Sequence, residues 1–120
     1  MLPKLPPLRP AVFARRVDAA PNLVSLFLGW ADEQPAAPFL TARVDGQWRT
    51  TSWGEARDIV ASLSAALIGL GIGRGDRVAL VSENRPEWCL ADLAIMAAGA
   101  ITVPAYTTNT EADHTHILTN

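Results

Sequence analysis

Residues 52–106 read SWGEARDIVASLSAALIGLGIGRGDRVALVSENRPEWCLADLAIMAAGAITVPAY, and this stretch decides the fold class. Ser52 and Glu55 have the S-x-x-E spacing of a capping box, in which each side chain takes up an orphan amide of the other residue. Trp53, Ala56, Ile59, Val60, Leu63, Leu67 and Leu70 then recur at helical spacing, which predicts one long helix over 53–70. Gly71 stands where a left-handed C-cap belongs, with Ile72 placed for the hydrophobic contact that accompanies it. Arg77–Ser82 (RVALVS) is short and apolar in its middle, and reads as a parallel strand buried on both faces. Pro86 suits the first turn of a second helix, with Asn84 close to its cap and Glu87 favourable near its positive end. Trp88, Leu90, Leu93, Ala94 and Ala97 supply packing on that helix, Gly99 stops it, and Ile101–Pro104 forms a second short strand.

Working outward toward the N-terminus, Asp45-Gly46 lies between the extended runs Phe39–Val44 and Gln47–Thr50, a strong hairpin signal. Upstream, Leu23, Leu26, Phe27 and Trp30 fall at i, i+3, i+4 and i+7, and an amphipathic helix is predicted within Pro21–Gln34. Toward the C-terminus, Thr110 with Glu111 and Asp113 starts a last helix. After the hairpin the order is helix, strand, helix, strand, helix. That order predicts an α/β class: the N-terminal part of a layered α/β domain, with two short parallel strands, flanking helices and a preceding β-hairpin. Two parallel strands are few for a complete sheet, so the layer reads as the opening of a larger fold.

The 120 residues carry 10 Lys+Arg against 12 Asp+Glu, a formal charge of −2, which argues against nucleic acid as a partner. Hydrophobic residues make up 49%, enough for a core. The single cysteine, Cys89, excludes an internal disulfide and a cysteine-cluster zinc site. The N-terminal MLPKLPPLRP is too rich in proline for a signal-peptide helix. Residues 1–20 are expected to form a poorly ordered proline-rich leader, whose Pro3–Pro6 and Pro7–Pro10 spacings follow from proline clustering. The apolar run Cys89–Tyr106 is interrupted by Asp92, Gly99 and Pro104, so it fits a buried helix and strand better than the about 20 clean apolar residues of a membrane span.

Candidate chemistry is sparse. Gly71, Gly73 and Gly75 follow a helix and precede a strand, the reverse of a dinucleotide-binding context, and read as a helix stop and turn. Arg74-Gly75-Asp76 lies in the same turn. His114 and His116 are two apart, which on a helix turns them to different faces and makes a poor metal pair. Cys89 lies on an apolar helix and reads as a packing residue. Two segments follow strand ends, where open α/β sheets hold ligands: Ser82–Trp88 and the hydroxyl-rich Tyr106–Thr110. Helix capping by Asn84 and a solvated Arg85–Glu pair are the simpler account of the first, and the second could contact a polar ligand or cap the last helix.

Four segments carry a family resemblance: T-S-W-G-E at Thr51–Glu55, L-G-I-G-R-G-D-R-V from Leu70, S-E-N-R-P-E-W from Ser82, and G-A-I-T-V-P-A-Y from Gly99. In this order and spacing, residues 21–120 resemble the N-terminal portion of the AMP-binding domain of AMP-forming acyl-CoA synthetases. S-E-N-R-P-E-W followed by V-P-A-Y-T-T-N-T is most similar to the long-chain fatty-acid–CoA ligases. The resemblance implies ATP, Mg2+ and coenzyme A as cofactors of the full-length family, and a fatty acid as substrate. It implies formation of an acyl-adenylate and pyrophosphate, then displacement of AMP by coenzyme A. It also implies a cytoplasmic protein, with peripheral membrane association conceivable through the Leu23–Trp30 helix, and the rest of the enzyme chain as partner.

The family's Ser/Thr/Gly-rich phosphate loop with its lysine, its adenine- and ribose-contacting motifs and its catalytic lysine have no counterpart here. No catalytic, cofactor-binding or metal-binding residue is therefore assigned, no cofactor is expected for these residues alone, and they are expected to be inactive by themselves. Two alternatives stand beside the long-chain ligase: a ligase of the same superfamily acting on another carboxylic acid, and a non-catalytic α/β interaction module.

Overall fold

The structure is a computed structural model that describes residues 20–120. The leader expected at 1–20 lies, apart from Ala20, outside the described residues. The elements are α1 (Leu23–Glu33), β1 (Pro38–Val44), β2 (Gln47–Ser52), α2 (Trp53–Gly69), β3 (Arg77–Val81), α3 (Pro86–Ala97), β4 (Ile101–Ala105) and α4 (Glu111–Thr119). The chain divides into two compact units, with the boundary between Ile59 and Val60 inside α2.

In the first unit, Asn22 caps α1, its Oδ1 accepting from the Ser25 amide at 2.9 Å. Strands β1 and β2 pair antiparallel through a two-residue turn at Asp45 (φ 51) and Gly46 (φ 77). Two successive positive φ values give the twist that a tight hairpin needs, which is why Asp-Gly marked it in the sequence. The capping box forms as expected: Ser52 N–H donates to Glu55 Oε2 at 2.8 Å, and Glu55 N–H to Ser52 Oγ at 3.1 Å.

Four rings make the core of this unit. Phe39 and Trp53 centroids lie 4.2 Å apart, Phe27 lies 5.4 Å from Phe39 and 5.8 Å from Trp53, and Trp30 lies 6.4 Å from Trp53. Phe27, Ala31 and Ala56 are buried here. Gly54 is held against the α1–β1 connection, its amide donating to Pro35 O at 2.9 Å.

In the second unit β3 and β4 pair parallel, from Arg77↔Ile101 to Val81↔Ala105, and α3 packs on both strands. Both helices that lead toward these strands stop in the same way. Gly71 (φ 97) donates to Ile68 O at 3.0 Å while Ile72 donates to Leu67 O at 3.1 Å. Gly99 (φ 82) donates to Met96 O at 3.0 Å while Ala100 donates to Ile95 O at 3.1 Å. These paired 5→2 and 6→1 bonds are Schellman closures, and the positive φ reserves both positions for glycine.

The structure corrects three readings. Strand β3 is not buried on both faces: Arg77, Ala79 and Val81 are exposed while Val78 and Leu80 are half-buried. A paired strand covers an edge rather than a face, and the alternation along β3 shows cover on one face only. On α2 the buried ridge is Ala56, Val60 and Ser64, at i, i+4 and i+8, while Ile59 and Leu70 are 44% and 82% exposed. Helix α3 is capped at Arg85, not Asn84, because the residue before Pro86 is pushed into extended backbone (φ −152, ψ 161) and so becomes the cap.

Phe27→Ala should cost about 3–5 kcal/mol in urea unfolding, since it empties the centre of the ring cluster. Two glycines of α2 should respond with opposite signs. A Cβ on Gly54 would lie 3.1 Å from both Pro35 Cβ and Pro35 O, whereas one on Gly69 would meet nothing within 4 Å. Gly54→Ala should therefore destabilise by about 1–3 kcal/mol, and Gly69→Ala should stabilise by up to about 1 kcal/mol. Equal shifts in the urea midpoint would refute the steric account. Thr102 Oγ1 is buried without a partner among the described residues. Thr102→Val should be neutral or stabilising by about 1 kcal/mol, because it removes a desolvated hydroxyl and keeps the shape.

Candidate functional site

Parallel pairing of Val81 with Ala105 brings the carboxyl ends of β3 and β4 to one edge of their sheet. The two segments singled out in the sequence, 82–88 and 106–110, both leave from that edge. It is where an open α/β sheet places a ligand, and its polar groups can be followed one by one.

Most of them serve the local chain. Ser82 Oγ donates to the Glu83 carbonyl at 3.0 Å. Arg85 Nε donates to Glu87 Oε2 at 2.9 Å, and both side chains are mostly exposed. The hydrogen bond from Arg85, followed by one from its own backbone amide, lowers the Glu87 carboxyl from 4.5 to about 2. Asn109 N–H closes a turn on Tyr106 O at 3.2 Å. Thr110 and Asp113 form a reciprocal capping box on α4. The backbone and side-chain hydrogen bonds from Thr110 hold the Asp113 carboxyl below its ordinary range. The Tyr106 side chain is left 78% exposed.

The other sequence candidates resolve in the same direction. Arg74-Gly75-Asp76 is a turn stitched at three points: Gly73 N–H donates to Asp76 Oδ2 at 2.8 Å, Gly75 N–H to Gly99 O at 2.9 Å, and Ile101 N–H to Asp76 O at 2.7 Å. Cys89 is half-buried rather than a fully packed core residue. His114 is half-buried and His116 exposed, and the His116 ring contacts Asn120 Nδ2 at 2.9 Å. An open depression on α4 is lined by Thr110, Glu111, Thr115, His116 and Thr119. The sequence reading did not single it out; its signal is the i, i+4 repeat of threonine. Those hydroxyls are engaged, Thr115 Oγ1 donating to Glu111 O at 2.8 Å and Thr119 Oγ1 to Thr115 O at 2.7 Å.

These residues do not fit ATP, Mg2+ or coenzyme A. Lys4 is the only lysine of the chain and lies outside the described residues. Arg57 is paired with Asp32 and Asp58, and Arg85 with Glu87. Among the described residues no group of three or more His, Cys, Asp or Glu could hold a metal ion. Among the described residues no helix is long and apolar enough to cross a membrane.

Comparison with known proteins supplies what the geometry does not. Residues 27–120 match the sequence model of the AMP-binding enzyme family. The long-chain-fatty-acid–CoA ligase FadD15 of Mycobacterium tuberculosis is 34% identical over 88 residues, covering 73% of this chain and 15% of that protein. A 3-[(3aS,4S,7aS)-7a-methyl-1,5-dioxo-octahydro-1H-inden-4-yl]propanoyl:CoA ligase from the same organism is 46% identical over 81 residues, covering 68% of this chain and 16% of that protein. Among solved structures, the fatty acid AMP ligase from Legionella pneumophila superposes with a TM-score of 0.75 at 25% identity, over 81% of this chain and 18% of that one. The chain thus spans about 15% of the length of the first of these relatives.

The Arg85–Glu87 pair has a definite pH signature. A carboxyl lowered in the folded state contributes stability that is fully present above its unfolded value near 4.5 and is lost as pH falls toward about 2. The urea-midpoint gap between the wild-type chain and Glu87→Gln should be constant above about pH 5 and close as pH falls below it. Solvent screening keeps that gap small. A gap that persists at the acid end would assign the effect to packing rather than charge.

Proposed function

The chain belongs to the AMP-binding enzyme family, and from that premise we propose that it is the N-terminal portion of a long-chain fatty-acid–CoA ligase. The observation that carries this reading is the similarity to FadD15 across 73% of the chain. The S-E-N-R-P-E-W segment at Ser82–Trp88 and the V-P-A-Y-T-T-N-T segment at Val103–Thr110 support it. The activity is ATP-dependent joining of a fatty acid to coenzyme A through an acyl-adenylate, with release of pyrophosphate and AMP. Residues 21–120 form the front of the AMP-binding domain and contribute scaffold. The groups that hold phosphate, adenine and ribose, and the catalytic lysine, belong to the rest of the enzyme chain. The setting is cytoplasmic, with contact to membranes at most peripheral.

The scaffold role follows from how the motif residues are used. Trp53 belongs to the ring cluster, and Glu55 closes the capping box of α2. Gly71 and Gly99 close the ends of α2 and α3, and Asp76 pins the turn before β3. Each is spent on shaping the backbone.

A second reading has its own observation. The 46% identity over 81 residues to the indenylpropanoyl:CoA ligase favours an acid other than a long-chain fatty acid, acted on by the same chemistry.

The purified 120-residue chain should give no ATP–pyrophosphate exchange above background with palmitate or with a ring-bearing propanoate, and turnover with either acid would overturn the scaffold assignment. Sequencing the gene beyond the codon for Asn120 tests the larger claim. A frame that continues into a Ser/Thr/Gly-rich loop ending in Lys-Gly supports the ligase reading. A stop codon at that point removes the catalytic claim for this product.

A further inference from the structure

We draw no further inference here: the strongest candidate, the surface patch at the tip of the β1–β2 hairpin where Val44 and Trp48 are exposed between Arg43 and Arg49, carries nothing because nothing in the structure shows what covers it.

Discussion

Parallel pairing of two five-residue strands is the constraint on which the second unit depends. Parallel neighbours cannot be joined by a tight turn, so the chain must leave Val81, cross over, and return to Ile101 running the same way. Helix α3 is that crossover, and α3 packs on both strands that it joins. The start of each strand then has to be brought level. The chain does this with backbone bonds, Gly75 donating to Gly99 O and Ile101 to Asp76 O. The turn that spells Arg-Gly-Asp is thus a register device between two strands.

The parts of this fold that were legible in the sequence are those whose physics is local. The S-x-x-E box at Ser52, the Asp-Gly turn, the glycine stops at Gly71 and Gly99 and the threonine cap of α4 each involve residues within a few positions of one another. They are satisfied whatever the rest of the chain does. What was not legible depends on distant neighbours. The β3 sequence suits burial on both faces, but which face is covered is decided by the packing of whole elements such as α3, not by the strand itself. The apolar face drawn for α2 was broader than the ridge that is buried, since hydrophobic spacing marks all candidates for contact and tertiary packing chooses among them. The cap at Arg85 was a local matter read wrongly: Pro86 restricts the residue before it more strongly than Asn84 attracts the role.

The candidate site shows the same division. The sequence marked the two strand ends correctly as neighbours, because a parallel crossover puts them there. It also marked the local work of their polar groups, since serine, threonine, aspartate and arginine at helix starts are the groups that cap and pair. The family assignment rests on the pattern as a whole. The match runs over residues 27–120, and the motif residues Glu55, Gly71, Asp76 and Gly99 within it cap helices or close turns.

The ring cluster has an optical consequence. Trp30, Trp48 and Trp53 all belong to the first unit, and Trp88 alone belongs to the second. The indoles of Trp30 and Trp53 are 6.4 Å apart, close enough for their excited states to mix, while Trp48 is 46% exposed on the hairpin. The two units thus carry different optical reporters: an exciton band in the far ultraviolet from the Trp30–Trp53 pair of the first, and the single indole of Trp88, on α3, in the second.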